Sequence, residues 1–427
     1  MVRSPVARRG FALAALVAGL AALVVTVLVL VRDPVQSVVA VLLVACAVAA
    51  AWAALVRRGA RRFAAATVAV VALAATAFLP DLHAYLWFAV VAVLVAVSAG
   101  ASRAALGHAA AVTGNPAGPA RHGVLILNPR SGGGKAARFG LAERARALGV
   151  EPVELRPGDD LRALAEQAVA RGADVLGMAG GDGSQALVAD VARQHGVAFV
   201  CVPAGTRNHL ALDLGLDRED VPAALAAFGE AIERRIDLAE LNGRVFVNNV
   251  SLGVYATVVQ SPAYRGAKAA TAAQRLPDLL GPDAPRPDLA FSLPDGTRCE
   301  SADVVLVSNG PYRLEHLSGF GTRERLDSGV LGIVTVTADR AGRLSPRRGR
   351  RSWSAAEFVV DSGSPLVEAG VDGEALRLPP PLRFRVLPGA LRVRMPREAP
   401  GASPAALLPA GPRALTAALV RALTRGV

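Results

Sequence analysis

Four stretches free of charged residues fill most of the first hundred positions: Phe11–Val31, Pro34–Val56, Phe63–Pro80 and Ala84–Ser102. A helix needs about 20 apolar residues, and no fewer than about 17, to cross the hydrocarbon core of a bilayer. All four stretches qualify, so residues 1–103 are expected to form four transmembrane helices. Arginine placement sets the orientation. Arg3, Arg8 and Arg9 precede the first stretch, Arg57, Arg58, Arg61 and Arg62 separate the second from the third, and Arg103 follows the fourth. The two other connections carry only Arg32-Asp33 and Asp81-Leu82-His83. The basic ends therefore share one side, the cytoplasm. The expectation is a multi-pass protein of the cell membrane with the rest of the chain on the cytoplasmic side.

Beyond the apolar stretches the texture is that of an ordinary soluble protein. Residues 104–121, rich in Gly, Pro and Thr, read as a linker. Residues 122–236 then alternate short apolar strands with helices: strands at Gly123–Leu127, Pro152–Leu155, Val175–Ala179 and Val197–Val202, helices at Lys135–Leu148, Asp160–Arg171 and Ser184–Gln194. Continuous apolar runs of this kind suit parallel strands buried on both faces, and their alternation with helices implies a doubly wound α/β lobe. Residues 237–398 change to strand-like runs separated by turns, with Asn242-Gly243 and Asp295-Gly296 as hairpin signals. This half is expected to be a β-sandwich-like lobe, with one helix at Ala263–Leu280. Residues 399–427 are a tail whose leucines and arginines suit an amphipathic helix, lying on the bilayer or packed onto the protein. The fold class is thus α/β and multi-domain, with a cleft between two lobes.

The net charge of +12 comes almost wholly from arginine, Lys135 and Lys268 being the two lysines. A basic balance favours phosphate-rich partners. No zinc finger and no basic stripe interleaved with aromatics supports nucleic acid, so an anionic membrane surface is the expected partner. Arg347, Arg348, Arg350 and Arg351, beside Trp353, form a patch that could dock on it; each basic residue near such a surface adds about 1 kcal/mol. The three cysteines form neither a disulfide framework nor a metal site.

In parallel sheets ligands sit beyond the carboxyl ends of the strands, and three loops there carry phosphate-binding chemistry. The first is Asn128-Pro129-Arg130-Ser131-Gly132-Gly133-Gly134-Lys135, between a strand and a helix. Its glycines let backbone N–H groups close on an anion, and the helix N-terminus adds a positive dipole. It is not a Walker A loop, because Pro129 and Ala136 stand where that motif has Gly and Ser or Thr. The second is Gly180-Gly181-Asp182-Gly183-Ser184, where a carboxylate at a phosphate edge fits a bridging Mg²⁺ or a proton acceptor. The third is Pro203-Ala204-Gly205-Thr206-Arg207-Asn208-His209, in which Thr206 and Asn208 can donate to phosphate oxygens.

Together NPRSGGGKA, GGDGS and PAGTRNHLA resemble the catalytic domain shared by diacylglycerol kinases, sphingosine kinases and their bacterial lipid-kinase relatives. The resemblance runs over about residues 122–397 and continues through Asn248-Asn249-Val250-Ser251-Leu252-Gly253, Val307-Ser308-Asn309-Gly310 and Val371-Asp372-Gly373-Glu374. It implies an ATP-dependent kinase of a lipid hydroxyl, diacylglycerol-type favoured, using ATP and Mg²⁺. By resemblance Asn128, Ser131, Gly180, Gly181, Asp182, Gly183 and Thr206 bind nucleotide; the loop chemistry adds Gly132, Gly133, Lys135, Ser184, Gly205 and Asn208. Asp372 and Asp182 are rival candidates for the base, with Glu374 beside Asp372. Asp182 and Asp327 are the candidate metal ligands. This chain departs from the family pattern at Ser184 (usually Thr), at His209 (usually Asp) and at Asp327-Ser328-Gly329-Val330-Leu331-Gly332, which keeps one acid where three are common. Two other readings fit parts of the sequence: an NAD kinase-like enzyme, which shares GGDG, and a non-catalytic membrane-bound sensor of nucleotide or lipid. The membrane lipid substrate is expected to reach the stretch from Tyr255 to Leu280. Nothing in the sequence sets the oligomeric state.

Overall fold

A computed structural model describes residues 5–32, 34–56, 60–78, 82–106, 114–254, 287–312, 323–337, 349–399 and 411–425. The expected helix at Ala263–Leu280, the lipid-pocket stretch from Tyr255 and the arginines Arg347 and Arg348 lie outside the described residues.

Four N-terminal helices stand where the apolar stretches placed them: α1 (Pro5–Arg32), α2 (Pro34–Val56), α3 (Ala60–Phe78) and α4 (Leu82–Leu106). Among the described residues, two runs are long and apolar enough to cross a bilayer, Val6–Arg32 and Ala89–Leu106. Shorter apolar runs, Leu42–Ala51 and Phe63–Ala75, lie in α2 and α3. Small residues let α1 and α4 approach closely, as in membrane helix pairs. A Cβ on Gly19 would lie 3.2 Å from Ser98 Oγ, and that hydroxyl donates to the Ala15 carbonyl at 2.9 Å. Leu20, Leu23 and Leu28 of α1 remain exposed.

The C-terminal tail forms a helix, labelled α10 below (Gly411–Arg425). It packs on the protein: Leu419 and Ala422 are buried in one cluster with Ala12, Ala15, Ala101 and Ala105 of α1 and α4. The Arg9 guanidinium donates to the Thr424 carbonyl at 3.4 Å. Truncating a buried leucine costs roughly 2–5 kcal/mol. Leu419→Ala is therefore expected to free α10 and speed tryptic cleavage at Arg413 and Arg421, leaving the two lobes protected.

The larger sheet has nine strands: β1 (Asn115–Ala117), β2 (Gly123–Leu127), β3 (Glu151–Glu154), β4 (Val175–Ala179), β5 (Ala198–Val202), β6 (Ala231–Leu241), β7 (Arg244–Phe246), β14 (Glu357–Val360) and β17 (Leu382–Pro396). Its main path runs β1-β6-β17-β5-β4-β2-β3. Strands β2, β4 and β5 are buried along their whole length, as continuous apolar runs require. Helices α5 (Lys135–Arg138), α6 (Leu141–Ala147), α7 (Leu161–Ala170), α8 (Asp182–Gln194) and α9 (His209–Asp213) follow the parallel strands. The single helix expected at Lys135–Leu148 is broken into α5 and α6 because Gly140 takes a left-handed φ of 57°. Asp160 caps α7, accepting from Arg162 N–H at 2.9 Å and Ala163 N–H at 3.3 Å.

The smaller sheet has the order β13-β12-β11-β8-β15-β16, built from β8 (Asn249–Gly253), β11 (Val304–Ser308), β12 (Leu331–Val336), β13 (Arg350–Ala355), β15 (Val367–Val371) and β16 (Glu374–Leu378). A two-stranded ribbon, β9 (Phe291–Ser292) with β10 (Arg298–Cys299), lies beside it.

The sheet of the α/β lobe is mixed rather than purely parallel. Strand β17, from the far end of the chain, lies parallel to β5, and β6 lies antiparallel to β17. Strand β17 runs unbroken from Leu382 to Pro396, with a bulge between Leu387 and Leu391. Both β6 and β17 serve two cores. Ile236, Leu238, Leu391, Val393 and Met395 pack in the α/β lobe; Ala239, Leu241, Leu382, Phe384 and Val386 pack in the β-rich lobe. Two shared strands thus fix the walls of the cleft to one another.

Candidate active site

Strands β5, β4 and β2 are neighbours, so the three phosphate-type loops emerge side by side at one sheet edge. The first bends in a way that few residues allow. Gly132, Gly133 and Gly134 take φ of 57°, 69° and 83° in succession, a run of left-handed conformations that only glycine adopts at low cost. The loops also touch. A Cβ on Gly132 would stand 2.3 Å from the Ala204 carbonyl oxygen, and one on Gly205 would stand 2.4 Å from Gly181 Cα.

Side chains behind the loops lock this junction. The Asn208 carbonyl oxygen accepts from Gly205 N–H at 2.8 Å, and its amide donates to Pro203 O at 3.0 Å and Gly205 O at 2.8 Å. Asn208 is buried, so its amide N–H groups, expected for phosphate oxygens, already serve the loop. Asn128 closes its own loop, its Oδ1 accepting from Arg130 N–H at 3.1 Å. Gln185, unremarked in the sequence, donates to Met178 O at 2.8 Å and Val202 O at 2.9 Å, tying the ends of β4 and β5.

Asp182 opens α8, and its carboxylate reaches across to α9. Its oxygens accept from His209 N–H and Leu210 N–H, both at 3.0 Å. Asp182 therefore joins the second loop to the third. The His209 ring beside it lines the cleft; burial lowers its pKa against the pull of Asp182 and Asp213, which favours the neutral ring.

The opposite wall belongs to the β-rich lobe. Asp372 and Gly373 form the two-residue turn between β15 and β16, with φ of 47° and 86°. Two successive positive φ values mark the turn type that favours Asp-Gly. The Asp372 carboxylate accepts from three backbone N–H groups, Val247 and Asn248 at 2.9 Å and Asn249 at 3.1 Å. Burial, helped by the Asp182 charge, pushes its pKa up to about 7, although the three N–H groups pull the other way. Glu374 is held by the Arg244 guanidinium at 2.9 Å. A Cβ on Gly183 would lie 2.5 Å from Glu374 Oε1, so the last glycine of GGDG makes room for that carboxylate over the start of α8.

Between the walls lies a cleft of about 450 Å³. Of the residues singled out in the sequence, Ser131, Gly181, Asp182, Gly183, Ser184, Thr206, Asp372 and Glu374 line it. Asn128, Gly132, Gly133, Gly180, Gly205 and Asn208 build the loops behind. Two others point elsewhere. The Lys135 ammonium donates to the Arg218 carbonyl at 3.4 Å. Asp327 pairs with Arg325 at 2.9 Å, a hydrogen bond that holds its pKa below the usual carboxylate value. Lys135→Met is accordingly expected to leave ATP affinity nearly unchanged and to cost about 1 kcal/mol of stability, the worth of one hydrogen bond; calorimetric titration and a denaturant melt separate the two.

Among the described residues no group of three His, Cys, Asp or Glu side chains could hold an ion. The Asp327 stretch does not fit a cation: the charges that pull its pKa down are Arg325 and Arg234, and Gly329 N–H there donates to Asp237 at 2.6 Å. The cleft does fit an ion carried in on a nucleotide. Magnesium keeps most of its ligands as water and phosphate and asks for one or two carboxylates; Asp182, Asp372 and Glu374 all line this space.

Beneath the cleft lies a feature without a local sequence signal. Arg323 has no exposed surface and meets the equally buried Asp213 of α9, its backbone N–H donating at 2.9 Å and its Nε at 2.6 Å. Its Nη1 donates to the carbonyls of Val247 at 2.7 Å and Asn309 at 2.6 Å. Nearby, the Tyr312 hydroxyl donates to Asn248 Oδ1 and accepts from Asn249 Nδ2.

The family model for the diacylglycerol kinase catalytic domain matches residues 122–241. A "probable lipid kinase YegS-like" of Pseudomonas aeruginosa is 31% identical over 301 residues, covering 65% of this chain and 95% of the relative. A diacylglycerol kinase of Mycobacterium tuberculosis is 34% identical over 120 residues, 27% of this chain and 39% of the relative. The crystal structure of a diacylglycerol kinase from Bacillus anthracis aligns at 19% identity with a TM-score of 0.46, covering 64% of this chain and 96% of that one. With its three loops converging on one cleft and a relative matched along nearly its whole length, the chain belongs to the diacylglycerol kinase catalytic domain family.

Proposed function

We propose that the protein is a membrane-anchored lipid kinase that moves the γ-phosphate of ATP onto a lipid hydroxyl, with diacylglycerol the favoured acceptor. The observation that supports this best is the placement of Asp372 opposite the three glycine loops across one cleft. Phosphoryl transfer needs positioning and charge neutralisation more than covalent help. The N–H-rich loops, with Ser131, Ser184 and Thr206, hold the triphosphate. Asp372 takes the proton of the lipid hydroxyl as the new O–P bond forms and the γ-phosphate separates from the departing ADP. Asp182, which caps α9 and so joins the second loop to the third, holds the nucleotide loops in place. Magnesium, when bound with the nucleotide, neutralises phosphate charge.

The apolar helices supply the anchor in this reading. Four spans, with the arginine-rich ends on the cytoplasmic side, put the cleft in the compartment that holds ATP and beside the leaflet that holds the acceptor. The exposed Arg350 and Arg351 of the edge strand β13 would face anionic headgroups. The test is the purified protein in nanodiscs containing diacylglycerol, with ATP and Mg²⁺, and mass spectrometry of the products. Phosphatidic acid is the expected product. A different phosphorylated lipid would remove diacylglycerol as the acceptor, and phosphorylated NAD with no lipid product would replace the whole reading.

A further inference from the structure

Asp182 and Asp372 face the cleft from different lobes, and one chain of polar contacts runs between them. Asp182 receives the first N–H groups of α9. Asp213, at the other end of that short helix, grips Arg323. Arg323 holds the Val247 carbonyl, and the N–H groups of Val247, Asn248 and Asn249 hold Asp372. Each step is a hydrogen bond of 3.1 Å or less. The segment 247–249 is thus fixed from both sides, by Arg323 through its carbonyl and by Asp372 through its amides.

We infer that Arg323 and Asp213 are positioning residues for the transfer step: their buried ion pair sets the three backbone N–H groups that aim the Asp372 carboxylate across the cleft at the nucleotide loops. This rests on the kinase reading above for the role of Asp372, and goes beyond it in assigning the geometry of that side chain to a pair that touches neither substrate. A guanidinium suits the task because its planar fork serves the Asp213 carboxylate and two carbonyls together, which a lysine cannot do. A buried pair of this kind is poor evidence for stability alone, since apolar replacements of similar volume often fold as well. Positioning is where its removal should register.

Two variants separate positioning from folding. Arg323→Lys keeps the charge and loses the fork. The double variant Asp213→Leu with Arg323→Met removes both charges together. The other ionisable groups around Asp372, namely Arg162, Asp182, Asp190, Arg207, His209, Arg244, Tyr312 and Glu374, are the same in both. Each variant is compared with the wild type, as full-length protein in nanodiscs, for melting temperature, kcat, KM for ATP, the pH profile of kcat/KM and hydrogen exchange of the peptide spanning 247–249.

The expected result is a kcat lower by about 10²-fold, the scale of a small misplacement of a reacting group, with KM for ATP unchanged. Exchange across 247–249 should quicken. The acid limb of the profile should move to higher pH, because Asp372 loses donors that favour its charged form. Wild-type turnover and an unmoved acid limb in either folded variant would overturn the inference. So would a loss of turnover that merely follows the melting temperature, or unchanged exchange at 247–249. An inactive wild type would instead defeat the kinase reading, and the exchange measurement would still decide whether the pair holds this segment. If the double variant does not fold, Arg323→Lys decides alone.

Discussion

Replacing Asp372 by Asn should lower lipid phosphorylation by about 10²–10⁴-fold, the usual worth of a general base, while ATP still binds. The two effects separate because Asp372 belongs to the β-rich wall and the glycine loops to the other. Asn is nearly isosteric, but its NH₂ group must face backbone N–H groups that meet a carboxylate oxygen in the wild type, either Val247 on one side or Asn248 and Asn249 on the other. Leaving a buried donor unsatisfied costs about 1–3 kcal/mol, so a lower melting temperature should accompany the loss.

The pH profile distinguishes the lost base from a general weakening. The folded-state pKa of Asp372 is raised to about 7, so its carboxylate holds a proton below neutrality and cannot accept another. Wild-type kcat/KM should fall as pH drops through about 7 and level off above it. The residual activity of Asp372→Asn should lack that step. The same shift has a stability sign. Because the folded protein binds this proton more tightly than the unfolded chain, the contribution of the group to stability is present at acid pH and declines as pH rises towards 7. The Asn variant should lose that decline.

The second large effect is expected at Gly205→Ala. The added methyl would stand 2.4 Å from Gly181 Cα, 2.8 Å from Gly181 N and 2.6 Å from Asn208 Oδ1. Two of these neighbours are backbone, so the loops must part. Overpacking of this kind costs typically about 1–3 kcal/mol, and here the strain falls on the junction that shapes the nucleotide site. Nucleotide binding should be lost or weakened by at least about tenfold, equivalent to 1.4 kcal/mol, with the fold retained. Gly133→Ala is the control. Its methyl would meet nothing within 4 Å, although φ there is 69°, so it carries backbone strain of about 1–2 kcal/mol without a clash. Calorimetric titration with a non-hydrolysable ATP analogue should rank wild type, Gly133→Ala and Gly205→Ala in that order. Equal binding by Gly205→Ala and wild type would show that loop contact is not what forms the site.

What the sequence disclosed follows the range of the interactions involved. Strands β2 and β4 lie at the bounds read from their apolar runs, because a fully buried strand shows in its own residues. The glycine loops were legible for the same reason, a local conformation with a local composition. Asp372 was reached through resemblance rather than spacing, since the amides that hold it lie more than a hundred residues away. The return of β17 to lie beside β5 was invisible: nothing in Leu391–Met395 says which sheet edge it will join. Lys135 and Asn208 show where loop chemistry misleads. Both are used, but for loop and carbonyl contacts instead of the open cleft. Arg323 and Asp213 gave no signal, because each resembles an ordinary surface charge until the fold buries them together.

The most direct measurement is transfer of label. Purified full-length protein in detergent is incubated with γ-labelled ATP, Mg²⁺ and a total lipid extract, beside Asp372→Asn protein shown by titration to bind the nucleotide. Label in the organic phase with the wild type, and almost none with the variant, is the predicted result. Label that stays with ATP in both, while both bind it, would contradict the account and leave a cleft that binds nucleotide without transferring phosphate.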